Sequence, residues 1–339
     1  MSKKNELGQY MTTNYEYIFQ NMYIPKDIKS IIEPFAGNGD LLNFFDNTKY
    51  DLKCYDIDPK KKFIKKRDTL ENPPDYKNTF VITNPPYLAR NKTKQKKIFD
   101  KYNVNDLYKC FIKNLISDVA LGGIIIVPLN FWSSIRKSDI ELRKQFLEKY
   151  NILLINIFEE QVFVDTSYTV CCFQFEKKTK KSNDINITIY PTKTKIKTNL
   201  NDENNYIIGG EIYNLQHHNH YKIGRLTKKN KQNTNILVKC IDDNNENKIK
   251  MSIVTDEDIY IDNTKNQTAR TYASLVIEPK ITLKKQKILV DKFNVFLDNF
   301  RTKYNSLFLT NYRESKDIAR KRISFDLVYK ITNHILDES

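Results

Sequence analysis

Glu33-Pro34-Phe35-Ala36-Gly37-Asn38-Gly39-Asp40 decides the fold when it is read with its neighbours. Before it, Ile28 to Ile32 reads as a strand. The two glycines close a tight turn, Leu41-Leu42-x-x-Phe45 follows with helical spacing, and Lys53-Cys54-Tyr55 forms a second strand ending at Asp56. Strand, glycine turn, helix, strand and acid together open a doubly wound, Rossmann-like α/β sheet. Without β-carbons, Gly37 and Gly39 let a ligand lie against the backbone, and Asp56 stands where a ribose hydroxyl pair would be met. A nicotinamide-binding turn carries a third glycine three residues after the second; here that position is Leu42. Glu33 directly before the turn would repel a pyrophosphate but suits a cationic ligand. The plain alternative for these acids is an exposed turn carboxylate.

A second stretch supplies the chemistry. Phe80-Val81-Ile82-Thr83 reads as a buried strand, and Pro85 and Pro86 forbid its continuation, so Asn84 and Tyr87 sit at a strand's carboxyl end. An exocyclic amino group such as that of adenine is a poor nucleophile because its lone pair is delocalised into the ring. Two acceptors that draw its N–H bonds out of conjugation cure this. The Asn84 side-chain oxygen and the Pro85 carbonyl, held in place by the fixed φ of the prolines, are such a pair. The Tyr87 ring offers a surface on which a planar base can stack. The competing reading is a proline-terminated strand in a surface loop.

The chain of 339 residues is long enough for two domains, and its 56 Lys+Arg against 41 Asp+Glu, net +15, point to a polyanionic partner. The excess is uneven: Lys178 to Ser339 holds 29 basic and 19 acidic residues. The five cysteines form no Cys-x-x-Cys pair, so neither a disulfide framework nor a zinc site is indicated. His217, His218 and His220 lack a matching carboxylate or cysteine pattern and read as a solvated loop, so no metal is expected. The start lacks an apolar signal region, and no apolar run approaches a membrane helix, so an intracellular, cytoplasmic protein is expected.

Further along, Asp68 follows a third edge segment where it could accept a hydrogen bond from an adenine amino group. Leu88 to Asn105 is a basic polar loop with Arg90, Lys92, Lys94, Lys96 and Lys97; such a run is either solvated or, beside an active site, a holder of phosphates. Helices are expected from Asp106 to before Gly122 and over Arg136 to Lys149, with strands at Ile124 to Leu129, Ile152 to Phe158 and up to Phe175. Phe173 and Phe175 share a face as core. Lys177 to Asn205 reads as a linker with one strand at Ile185 to Tyr190. The expected domains are 1–177 and 178–339.

These motifs and their order resemble the adenine-N6 DNA methyltransferases of restriction-modification systems, in the gamma subgroup with the cofactor motifs first and target recognition at the C-terminus. The resemblance covers about the first 177 residues. It implies an S-adenosylmethionine cofactor. Gln9, Tyr10 and Thr12 would close over its methionine end, although Met11 and Thr13 replace the usual phenylalanine and proline. Glu33, Pro34, Gly37 and Gly39 would lie under the sulfonium and amino-acid end, Asp56 in place of a glutamate at the ribose, Asp68 at the adenine, and Phe111 packed against that adenine. Asn84 to Tyr87 would be catalytic, and Phe163, with Phe175 as the alternative, would stack with Tyr87 on a flipped base. The resemblance also implies direct transfer without a covalent enzyme intermediate, double-stranded DNA as substrate, a basic recognition domain over 178–339, a separate cognate restriction endonuclease and action as a monomer.

The nearest competitor uses the same motif on a release-factor glutamine or on guanine N2 of RNA. Those enzymes generally place a helical domain before the cofactor turn, whereas here the turn begins at Glu33. A cytosine-C5 mechanism needs a Pro-Cys nucleophile, and no cysteine here follows a proline. A non-catalytic DNA-binding module would show loss of Asn84 or of the glycine turn, and both are present.

Overall fold

Apolar strands that pair on both edges and are covered on both faces must be hydrophobic throughout, and the central strands of this chain are. In a computed structural model that describes residues 12–163, 168–216, 218, 220–243, 246–265, 269–315 and 319–338, the chain divides into two compact units. The first comprises Met1–Asn201 with Arg313–Lys316 and the second Asp202–Tyr312 with Asp317–Ser339.

The first unit is built on a nine-stranded sheet. Its strands are β1 (Ser30–Glu33), β2 (Asp51–Asp56), β3 (Lys65–Lys66), β4 (Phe80–Thr83), β5 (Gly122–Pro128), β6 (Tyr150–Phe158), β7 (Val170–Lys177), β8 (Asp184–Tyr190) and β9 (Thr194–Asn199), in the spatial order 3-2-1-4-5-7-6-8-9. From β3 to β5 all pairings are parallel; β7 enters antiparallel between β5 and β6. Every residue of β4 and β5 is buried. The strand order reverses between β1 and β4, and in open α/β sheets ligands bind beyond the carboxyl ends of the strands at such a switch point. Both sequence motifs, Glu33 to Asp40 and Asn84 to Tyr87, leave the sheet there.

Helices α1 (Tyr15–Ile18), α2 (Lys97–Tyr102), α3 (Leu107–Ser117), α4 (Asn130–Ser133) and α5 (Lys137–Lys149) cover the sheet. α3 and α5 are joined by a buried ion pair, Lys109 Nζ to Asp139 Oδ1 at 2.6 Å, with Lys109 also donating to Asn105 Oδ1 at 2.8 Å. Burial pulls the Lys109 ammonium down and Asp139 opposes the shift. The fully buried Arg143 donates to the carbonyls of Phe131 and Ser134 at 2.8 and 2.7 Å, so charged side chains are fixed by geometry and not by solvent. Phe173 stacks on Phe131 and meets Trp132 and Phe146, while Phe175 packs on Phe146 and Tyr150, placing both in the core.

Three expectations change. The helix after the glycine turn is only a 3-10 segment, Leu41–Phe44, whose C-cap Phe45 is extended, and a second 3-10 segment, Asn47–Lys49, leads into β2. The basic loop contains the short helix α2, which Phe99 anchors in the interior. The stretch after Lys177 is no linker: Ile185, Ile187 and Ile189 alternate into the core, so β8 and β9 extend the sheet and the first unit runs to Asn201.

The second unit holds a four-stranded antiparallel sheet in the order Lys222–Arg225, Tyr272–Glu278, Ile236–Lys239, Lys250–Ile253, with helices Leu283–Tyr304 and Phe325–Asp337. The first helix is capped by the Thr282 hydroxyl on the Lys285 N–H and the second by Ser324 on the Leu327 N–H. His218 and His220 lie exposed near Asp337, and no group of three or more metal-ligating side chains occurs among the described residues. Nor is any described helix long and apolar enough to cross a membrane.

Candidate active site

The glycine turn is built as its sequence requires. Gly37 and Gly39 have φ of +52° and +72°, left-handed values that cost a residue with a β-carbon about 1–2 kcal/mol. At Gly39 a β-carbon would also come within 3.3 Å of Leu42 Cδ1. Asp56, at the end of β2, is 2 % exposed and grips the turn: its Oδ2 accepts from the Gly37 N–H at 2.8 Å and its Oδ1 from the Asp58 N–H at 2.8 Å. Pro34 is buried and its carbonyl accepts from the Thr69 hydroxyl at 2.9 Å, which ties the turn to the loop that carries Asp68.

Glu33 is the electrostatic oddity of the site. It is 1 % exposed, and its Oε2 has no hydrogen-bond partner among the described residues. Burial raises its carboxyl well above the usual range, and Asp40 and Asp56 push it further. Burial and these two acids penalise its charged form, so a positive charge brought beside it would favour the carboxylate.

A cavity of about 330 Å³ opens beyond these strands. Phe35, Gly37, Asp56 and Ile57 line one wall, Arg67 to Glu71 a second, Thr93, Gln95 and Lys97 to Phe99 a third, and Asn84, Pro86, Leu88 and Leu107 close the inner end. Asp68 fixes its own loop by accepting from the N–H groups of Leu70 and Glu71 at 3.1 and 3.0 Å. Glu33, Pro34 and Gly39 adjoin the cavity through the turn but do not line it.

Asn84 is held by both atoms of its amide. Nδ2 donates to Thr12 Oγ1 at 2.9 Å, and Oδ1 accepts from the Tyr87 hydroxyl, which also lies 3.0 Å from the Ile126 carbonyl. The donor to Thr12 fixes which way the amide faces. Pro85 is buried beside it.

Three residues stand elsewhere than the sequence reading puts them. Phe111 is fully buried and does not line the cavity; it packs edge-on against Phe35 at 5.3 Å. α3 starts at the carboxyl edge of the sheet and runs away from it, so Leu107, one turn or about 6 Å earlier, reaches the ligand space instead. Tyr87 is 2 % exposed, edge-on to Tyr108 and Tyr168 at 6.2 and 6.1 Å, so it supports Asn84 and presents no open stacking face. Phe163 is likewise buried at 2 % exposure. Gln9 and Tyr10 lie outside the described residues.

Sequence reasoning missed Phe35, Ile57, Leu107, the half-buried Tyr168 and the cavity wall from Thr93 to Phe99. The last left a signal: within the basic run the cavity-lining residues Thr93, Gln95 and Lys97 alternate with Lys92, Lys94 and Lys96.

The class follows from this geometry: a Rossmann-like α/β domain in which a glycine turn, a strand-end acid and an Asn-Pro-Pro-Tyr strand end meet at one switch-point cavity. Residues 8–163 match the family model described as Eco57I restriction-modification methylase, so the family resemblance of the motifs holds over that stretch. A comparison with curated proteins returned no match.

Among solved structures, a modification subunit assigned to a type I restriction enzyme of Vibrio vulnificus YJ016 is 13% identical with a TM-score of 0.42, over 54% of this chain and 47% of that one. The methyltransferase subunit of a type I restriction-modification system from Streptococcus thermophilus is 15% identical with a TM-score of 0.39, over 52% of this chain and 44% of that one. The type IIG restriction endonuclease BpuSI is 13% identical with a TM-score of 0.40, over 65% of this chain and 36% of its own. This chain thus spans less than half the length of each of these three.

Proposed function

We propose that this chain is a restriction-modification methyltransferase that uses S-adenosylmethionine to methylate the N6 amino group of a flipped-out adenine in double-stranded DNA. The observation that supports it most is the convergence of Gly37, Asp56, Asp68 and Asn84 on one cavity at the switch point of the sheet. S-adenosylmethionine, when bound, supplies a methyl group activated by a positively charged sulfonium. Glu33, Pro34, Gly37 and Gly39 would hold its amino-acid end, Asp56 its ribose, and Asp68 with Ile57 and Leu107 its adenine. The buried, unpartnered Glu33 oxygen fits a ligand of that charge. Gln9 and Tyr10 would complete the amino-acid end, as the resemblance implies.

The chain's own work falls to Asn84 and Pro85. Their two oxygens accept the two N–H bonds of the substrate amino group and draw its lone pair out of the ring, raising its nucleophilicity. Thr12 and Tyr87 keep the amide in that orientation before substrate arrives. Stacking of Tyr87 and Phe163 on the base requires both rings to be uncovered, since both are buried here. The basic C-terminal portion, with 29 basic and 19 acidic residues from Lys178 on, would read the DNA sequence, and a cognate endonuclease would act as a separate protein.

The test is incubation with radiolabelled S-adenosylmethionine and, separately, duplex DNA, tRNA and a release factor. Label in duplex DNA alone is expected. Label in the protein or tRNA and none in DNA overturns the reading.

A further inference from the structure

The segment from Leu88 to Asp106 begins four residues after Asn84 and ends at the start of α3. Its ends are tied together: the Leu88 N–H donates to Asp106 Oδ1 at 3.0 Å, and the Leu107 N–H to the Leu88 carbonyl at 3.2 Å. Between those ends it forms a strap across the cavity and is fastened to the opposite wall. Lys101 Nζ donates to the Glu71 carbonyl at 2.6 Å, the Tyr102 hydroxyl to the Leu70 carbonyl at 2.7 Å, and Lys97 pairs with Glu71 Oε1 at 3.4 Å. Arg90 braces the strap internally on Asp100 at 2.7 Å.

The strap has two sides. Thr93, Gln95, Lys97, Ile98 and Phe99 line the cavity. Lys92, Lys94 and Lys96 alternate with them, are exposed, do not line it, and pair with no acid among the described residues. The cations that fasten the strap are therefore different residues from the three that are left over. An extruded base stays bonded to its own backbone, so a base that reaches Asn84 brings its flanking phosphates with it, and the strap lines the same cavity as Asn84.

We infer that Lys92, Lys94 and Lys96 bind the phosphates beside the target nucleotide and that this contact holds the strap closed over the cofactor, so that DNA and cofactor tighten each other's binding. The inference rests on the methyltransferase reading above and adds to it a place for the DNA backbone and a coupling between the two sites. Linkage makes the coupling reciprocal: the factor by which DNA raises cofactor affinity equals the factor by which cofactor raises DNA affinity.

The experiment compares the wild-type chain with the triple variant Lys92→Gln, Lys94→Gln, Lys96→Gln. S-adenosylmethionine binding is measured by calorimetry with and without a DNA duplex, and duplex binding is measured across a salt series. Three lost phosphate contacts lower the slope of log affinity against log salt by about 2.7, so over a fourfold rise in salt the wild type loses roughly 40-fold more affinity than the variant. The wild type shows cofactor binding tightened by duplex, by a factor in the range of about 5–150 usual for coupled sites, and the variant loses that factor. Cofactor affinity without DNA stays the same in both, because the three side chains are exposed and do not line the cavity.

A variant that keeps the wild-type salt slope overturns the phosphate contact. One that loses the slope but keeps the DNA-induced tightening overturns the coupling. If the wild type itself binds no duplex, the inference falls together with the DNA reading beneath it; if only the variant behaves like wild type, the DNA reading stands and the strap inference alone fails.

Discussion

Replacing Asn84 by alanine separates its proposed chemistry from its place in the fold. In the resting site the substitution removes the 2.9 Å bond to Thr12 and the bond accepted from the Tyr87 hydroxyl, which keeps its 3.0 Å partner, the Ile126 carbonyl. Two lost hydrogen bonds, one of whose donors keeps another acceptor, cost about 1–2 kcal/mol, which lowers Tm by roughly 2–8 °C in a unit of this size. The chemical loss is larger. A preorganised group that acts on charge developing in the transition state contributes about 2.7–4 kcal/mol, or 100- to 1,000-fold in kcat. Asn84 is one wall residue of the cavity among many, so cofactor affinity should change by less than about threefold. Single-turnover transfer of labelled methyl groups, calorimetry with the cofactor and a thermal melt measure the three quantities. Loss of transfer and of cofactor binding in equal measure, with Tm down by more than about 10 °C, would show that Asn84 holds the fold and does not act on substrate.

Three further outcomes follow from the same geometry. Asp56→Ala removes the acceptor of the Gly37 and Asp58 N–H groups and a charged partner for the ligand; at about 1.5–3 kcal/mol for a charged hydrogen bond, calorimetry should show cofactor affinity down at least tenfold, and an unchanged affinity contradicts its placement. The Glu33 carboxyl is raised in the folded state by burial and by Asp40 and Asp56, so its contribution to stability is complete at low pH and is lost as pH rises through its folded value. The ligand-free protein should therefore melt earlier as pH rises above the ordinary glutamate range, a slope that Glu33→Gln removes and that cofactor diminishes; identical pH profiles for wild type and variant refute this. Lys109→Met strands Asp139 against α3 and should cost about 3–5 kcal/mol in denaturant unfolding, most of it recovered in Lys109→Met, Asp139→Leu, whereas a single variant as stable as wild type contradicts the buried pair.

How much of the fold and site was legible in the sequence depended on how local each signal was. Gly37, Gly39, Asp56 and the Asn84-Pro85-Pro86 strand end punctuate the chain itself, so residue types and spacing alone were enough to read their elements and order. Phe111 could not be placed, because residues 107 and 111 share a helix face and only the direction of α3 across the sheet decides which one reaches the ligand. The burial of Tyr87 was equally hidden, since its covering rings, Tyr108 and Tyr168, come from distant parts of the chain. β8 and β9 were masked by lysine, threonine and asparagine on their exposed face, although Ile185, Ile187 and Ile189 carried the period-two signal. In the basic run, the charge hid a shorter alternation that only the cavity made meaningful.

The central claim is that Asn84 and Pro85 present an adenine amino group to the cofactor. It is tested most directly by treating duplex DNA with the protein and isotopically labelled S-adenosylmethionine, digesting the DNA to nucleosides and identifying the labelled base by mass spectrometry. The account predicts label in N6-methyldeoxyadenosine with wild type and none with Asn84→Ala. Label on a cytosine, or an undiminished yield from the variant, contradicts it.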